Sequence, residues 1–207
     1  MKRKWLGHSC FAITLDDGRV IVTDPFDDSV GYPPLHVTAD IALSSHGHFD
    51  HNCFAAVEGD PEIINRPGVY ERSGVTITGV PSFHDEVRGA KRGENVIFVV
   101  EAGNMKIVHL GDLGHQPDTP EQKAAIKDAD ILLIPIGGTF TITTPEAVKL
   151  IETFRPRVAI AMHYQNDCCH FPITDCSEFV AATRARVLPN SVEISNNALA
   201  GCYTMAI

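Results

Sequence analysis

The chain has 207 residues, 44% of them hydrophobic and 21% charged, with a formal charge of −9 at pH 7. That length suits one domain over residues 1–207, with a core large enough to stand without disulfides. No apolar run is long enough to cross a bilayer, residues 1–10 have no apolar signal core, and the acidic balance argues against nucleic acid, so a cytoplasmic protein acting on small molecules is expected. The six cysteines include no CxxC pair and read as free thiols in a reducing compartment.

Along the chain, residues 10–24 read as strand, turn and strand closed by an aspartate, with Asp16-Asp17-Gly18 as the turn. Residues 39–45 then give a short apolar strand leading into His46. Residues 95–112 repeat the hairpin plan around Ala102-Gly103-Asn104 and end on Asp112, and residues 129–138 repeat the apolar strand and end on Gly137-Gly138. Runs that are apolar throughout suit strands covered on both faces. Helical patterns fall at 121–128, at 144–154 with Thr144 as N-cap and Pro145 at the first helical position, and at 175–185. Two similar β-rich halves with helices between them predict an α/β (α+β) fold, a four-layer αββα sandwich in which two sheets lie face to face.

The run His46-Gly47-His48-Phe49-Asp50-His51 places four metal-ligand side chains in six residues directly after a strand. Alternation in a tight loop lets His46 and His48 grip one ion, while Asp50 and His51 turn toward a second as the next helix begins. Imidazole and carboxylate suit zinc, and also manganese or iron. His84, Asp112 and His163 each follow a predicted strand within a few residues, as His46 does. Taken singly, His84 and His163 would read equally well as surface or core histidines. Together they gather at one edge of the sandwich, where open sheets bind ligands.

His46 to His51 match the HxHxDH signature of the metallo-β-lactamase superfamily, and WLGHSCFAI near the start with TDPF at 23–26 resembles the branch containing L-ascorbate-6-phosphate lactonase and N-acylphosphatidylethanolamine phospholipase D. Within it the chain looks closest to the short zinc-dependent hydrolases of this fold. The resemblance covers nearly the whole chain and implies a site for two divalent ions. His46, His48 and His84 would hold the first, Asp50, His51 and His163 the second, and Asp112 would bridge them. It also implies a shared hydroxide that cleaves a small ester, lactone or phosphodiester, with Asp50 and Asp112 as the catalytic carboxylates. Two other readings stay open: a mononuclear iron oxidoreductase resembling persulfide dioxygenases, and a non-catalytic metal-binding sensor. Many relatives in this branch assemble into homo-oligomers.

Around this set, Asp24 ends a strand beside the motif and is the candidate to accept the far N–H of a ligand histidine; an Asp before Pro25 also suits a plain turn. His8 and His115 are candidates for substrate contact or proton transfer, against an equal reading as surface histidines, while His109 falls inside a strand and packs there. Tyr164 follows a ligand and could reach the pocket. The polar segment 84–95 reads either as a solvated loop or as a mobile flap in which Arg88, Lys91 or Arg92 binds an anionic substrate group. Gly137 and Gly138 either admit a close backbone approach or make a turn. Cys168, Cys169 and His170 read as a loop.

Overall fold

A computed structural model of the chain describes residues 1–189, 194–195 and 200–206. The elements run β1 (Lys2–Gly7), β2 (Cys10–Thr14), β3 (Val20–Thr23), β4 (Ile41–Leu43), β5 (Glu62–Ile64), β6 (Gly68–Arg72), β7 (Val75–Phe83), β8 (Glu94–Ala102) and β9 (Met105–His109). After α1 (Pro120–Ile126) come β10 (Ile131–Pro135), α2 (Thr144–Phe154), β11 (Val158–Met162), α3 (Ser177–Thr183), β12 (Arg186–Pro189), β13 (Ile194–Ser195) and β14 (Gly201–Ala206). A six-stranded sheet has the order β13-β1-β2-β3-β4-β5, and an eight-stranded sheet the order β12-β14-β11-β10-β9-β8-β7-β6. One hydrophobic cluster joins them, with Phe11, Ile13, Ile21 and Leu43 from the first sheet and Ile77, Phe98, Ile107 and Leu133 from the second. Among the described residues no helix is long and apolar enough to cross a membrane.

The internal repeat is present down to its hydrogen bonds. In each half a hairpin is followed by a strand parallel to the hairpin's second arm: β2 and β3 then β4 in one sheet, β8 and β9 then β10 in the other. Asp40 accepts the Val20 N–H at 2.8 Å, and Asp130 accepts the Lys106 N–H at 2.9 Å, so corresponding carboxylates pin the start of corresponding strands. Every residue of β10 and β11 is buried, as their unbroken apolar sequences require.

The helices fall close to their expected places. In α2 the N-cap is Thr143 rather than Thr144, because Glu146 reaches back to the Thr143 N–H and hydroxyl, each at 2.8 Å, and so fixes the first turn one residue earlier. No α-helix follows the motif at 46–51. The crossovers from β3 to β4 and from β4 to β5 carry only the 3₁₀ turns Asp28–Val30 and Phe54–Ala56. The first crossover contains Pro33-Pro34 and the second Gly59-Asp60-Pro61, sequences that break a helix before it can propagate. Among the described residues, α1 contacts β7 and β8, α3 contacts β14, and α2 packs on α3, so these helices lie with the eight-stranded sheet.

Candidate metal centre

Parallel pairing sends β3 with β4, and β9 with β10 and β11, in common directions, so the residues leaving their carboxyl ends collect at one edge. Asp24 follows β3, residues 46–51 follow β4, Asp112 follows β9, and His163 follows β11. His84 joins from the end of β7. Three overlapping groups of donor atoms result, each with its members within 4.8 Å of one another: His46, His48 and His84; His8, Asp50, His51 and His163; and His46, His51 and Asp112.

Asp112 lies between the groups. Its Oδ2 is 3.1 Å from His163 Nε2, 3.3 Å from both His51 Nε2 and His84 Nε2, and 4.0 Å from His46 Nε2. The far nitrogens are already engaged at two of these histidines. His51 Nδ1 is 2.8 Å from Asp24 Oδ2, which leaves Nε2 aimed at the cluster. Ser45 Oγ gives its proton to Asp24 at 2.8 Å and therefore accepts from His46 Nδ1 at 2.9 Å, which likewise leaves His46 Nε2 with its lone pair inward. Asn95 fixes Asp112 by accepting its backbone N–H at 2.9 Å, while its amide donates to Ser82 Oγ and the Leu110 carbonyl.

The electrostatics favour a cation. Burial, reinforced by the neighbouring His51, brings His46 down to about 3; burial and His163 bring His8 down to about 4; burial also lowers His84. These imidazoles are neutral near pH 7, the form that binds metal. Burial works against ionisation of Asp112, yet His163 and His51 outweigh it and hold the carboxyl well below its ordinary range. Burial likewise opposes the proton on His51, but Asp112 and Asp24 hold it well above the usual range. His51 Nε2 and Asp112 Oδ1 are buried and make no hydrogen bond, a state that costs about 1–3 kcal/mol per group unless an ion satisfies it. The donor set fits divalent metal.

Residues 3–163 match the family model of the β-lactamase superfamily domain. The chain belongs to that superfamily. A metal-dependent hydrolase of the UPF0173 family from Carboxydothermus hydrogenoformans is 30% identical, with 95% of this chain and 97% of the relative covered. A second, from Methanopyrus kandleri, is 30% identical over 79% of this chain and 84% of its own. The crystal structure of a Thermotoga maritima protein described as a zinc-dependent hydrolase of the metallo-β-lactamase superfamily superposes with a TM-score of 0.81 at 36% identity, covering 99% of this chain and 98% of that one. The two-sheet fold is therefore the β-lactamase superfamily fold, and the chain stands among metal-dependent hydrolases.

Within this superfamily member, several neighbours of the ligands sit differently from expectation. His8 is fully buried and does not line the cleft; its Nε2 lies 3.1 Å from Asp50 Oδ2, and its carbonyl accepts from the Trp5 indole at 2.9 Å. That contact makes His8 a support for Asp50. His115 is also committed internally, with Nδ1 donating to the Gln116 carbonyl at 2.8 Å and Nε2 accepting the Phe83 N–H at 3.2 Å. Tyr164 does not reach the pocket. It stacks on Trp5 at 5.8 Å between ring centroids and gives its hydroxyl to the Met205 carbonyl at 2.6 Å. His109 packs as expected, between the Ser9 carbonyl and the Gly111 N–H. Gly137 makes the close approach: a Cβ there would stand 2.3 Å from the His163 carbonyl oxygen.

The segment after His84 is folded around a buried carboxylate. Asp85 accepts four backbone N–H groups, from Val87, Gly89, Lys91 and Arg92, at 2.7–2.9 Å. Burial raises its pKa, but these donors prevail and bring it to about 2. Of the three basic candidates only Arg92 lines the cleft. Arg88 is exposed on the loop in a left-handed conformation, and Lys91 is exposed and paired with Glu86. The cleft itself is about 390 Å³. Its floor is His48, Asp50, His84, Asp112 and His163, and its walls include Phe49, Phe140, Phe171 and Pro172. Ser45, Asn95 and this aromatic wall carry no motif of their own in the sequence; the serine next to His46 is the signal it offers.

Proposed function

We propose that the chain is a hydrolase that holds two divalent ions, zinc in the first instance, and cleaves a small ester, lactone or phosphodiester in the cytoplasm. The reading rests on one observation: seven expected ligands converge at one edge, with His51 Nε2 and Asp112 Oδ1 buried and unsatisfied. His46, His48 and His84 would hold one ion and Asp50, His51 and His163 the other, with Asp112 facing both. Two such ions supply a hydroxide nucleophile at neutral pH and polarise the carbonyl or phosphoryl oxygen under attack.

The chain's own residues do the remainder. Asp24 and Ser45 keep His51 and His46 in the tautomers that direct Nε2 inward. Asp50 lines the cleft and also receives the His8 hydrogen bond, so one carboxylate oxygen is anchored while the group faces substrate. It is placed to orient the attacking water and take up its proton. The phenylalanine walls reduce competing water above the donors. The branch resemblance to the ascorbate-phosphate lactonase and the phospholipase D supports ester, lactone and phosphodiester candidates, and the acidic surface supports a small molecule over nucleic acid as substrate.

The test is hydrolysis of a panel of aryl esters, lactones and phosphodiesters by zinc-loaded protein and by Asp112→Ala. Turnover by the loaded protein that falls by at least about 10³-fold in the variant is expected, since one carboxylate serves both ions. Full activity in Asp112→Ala would contradict the assignment.

A further inference from the structure

We infer that the cleft selects a substrate in which an aromatic or short acyl group lies on one side of the cleaved bond and a separate anionic group lies on the other. The inference rests on the hydrolase reading and names the substrate class of that same site. Phe49 is 54% exposed although it sits between the ligands His48 and Asp50, which keep its backbone over the donors. Phe171 stands beside it, ring centroids 6.2 Å apart at 69°, and on its other side meets the buried His8 ring edge-on at 5.6 Å. Phe140 lines the same cleft. Solvent-facing aromatic rings around a strongly polar floor are unfavourable in water and favourable against an apolar ligand, and a cleft of about 390 Å³ holds a phenyl or short acyl group above the ions.

Arg92 supplies the second half of the recognition. It is the cation of the cleft lining, its guanidinium lies 5.5 Å from the Phe140 ring centroid, and Nη2 donates to the Thr139 carbonyl at 3.0 Å. Among the described residues it meets no carboxylate, whereas Arg19, Arg72 and Lys91 are paired with Asp17, Glu62 and Glu86. Asp85 takes the Arg92 backbone N–H at 2.7 Å, so the side chain is presented from a fixed loop. A guanidinium with donors to spare beside an apolar wall suits a carboxylate or phosphate attached to an apolar body. Arg92 also borders a groove of about 470 Å³ that runs past His48 to Asn65 and Arg66, which gives the anionic end a path outward; Glu94 lines the same groove, so the anion is favoured at the Arg92 end.

Calorimetric titration of the zinc-loaded chain with 3-phenylpropanoate, propanoate and 3-phenylpropan-1-ol tests this. The phenyl acid is expected to bind about tenfold tighter than either partial probe, since only it meets both features. Arg92→Gln should weaken the phenyl acid about tenfold and leave the alcohol unchanged. Phe171→Ala, with Phe49→Ala as a second wall variant, should weaken both phenyl probes and leave propanoate unchanged. Equal affinity for the two acids would overturn the aromatic subsite, and a phenyl acid indifferent to Arg92→Gln would assign its carboxylate to the ions alone and overturn the anion site. Hydrolysis of the ester panel combined with flat binding preferences would leave the hydrolase reading standing without this substrate class. The expected binding pattern without hydrolysis would do the reverse.

Discussion

Asp24 shows how one buried carboxylate sets the chemistry of residues it would not itself ligate. It accepts the Ser45 N–H at 2.7 Å, the Ser45 hydroxyl and His51 Nδ1, and through Ser45 it also fixes His46. Burial raises its pKa, but His109 and His51 outweigh that and keep it ionised. Asp24→Asn preserves shape while replacing an acceptor oxygen with a donor, so His51 loses the partner that fixes its tautomer. Metal affinity measured by chelator competition should fall about 10–100-fold, with the far-ultraviolet circular dichroism unchanged. An unchanged affinity would return Asp24 to the role of a turn residue before Pro25.

The hairpins, the apolar strands and the three helices follow from periodicity and turn chemistry, which act over a few residues and are written in the sequence. So are the seven candidate ligands, because each follows a strand whose end falls at the same edge. What local pattern does not fix is the direction in which a residue next to a ligand points. Tyr164 follows His163 and packs away from it; Arg88 and Arg92 share a loop, but only Arg92 reaches the cleft. That last choice depends on Asp85, which folds the 85–92 segment around its carboxylate through N–H groups that every residue carries. Asp85→Ala should therefore free the loop: amide exchange at Val87, Gly89, Lys91 and Arg92 should accelerate by an order of magnitude or more, about 1.4 kcal/mol for each tenfold step. Exchange unchanged at these amides would show that Gly89 and Gly93, joined by their own backbone bond, hold the loop without the carboxylate.

The whole molecule reads as one plan used twice, with the products brought to a single edge. The hairpin and parallel strand of the six-stranded sheet end at Asp24 and the motif at 46–51. Those of the eight-stranded sheet end at Asp112 and Gly137, and Gly137 packs on His163. Each half thus brings an aspartate to the strand end nearest the centre, one supporting ligands and the other facing both donor groups. Among the described residues His51 Nε2 and Asp112 Oδ1 are buried without a hydrogen bond at the point where the halves meet, a deficit that a bound cation would relieve. The decisive measurement is metal identity and stoichiometry by elemental mass spectrometry on protein reconstituted and freed of loose ions. Close to two zinc or manganese ions per chain, with loss in Asp112→Ala, is the expected result. A single iron per chain, or no retained metal after reconstitution, would contradict the two-ion centre.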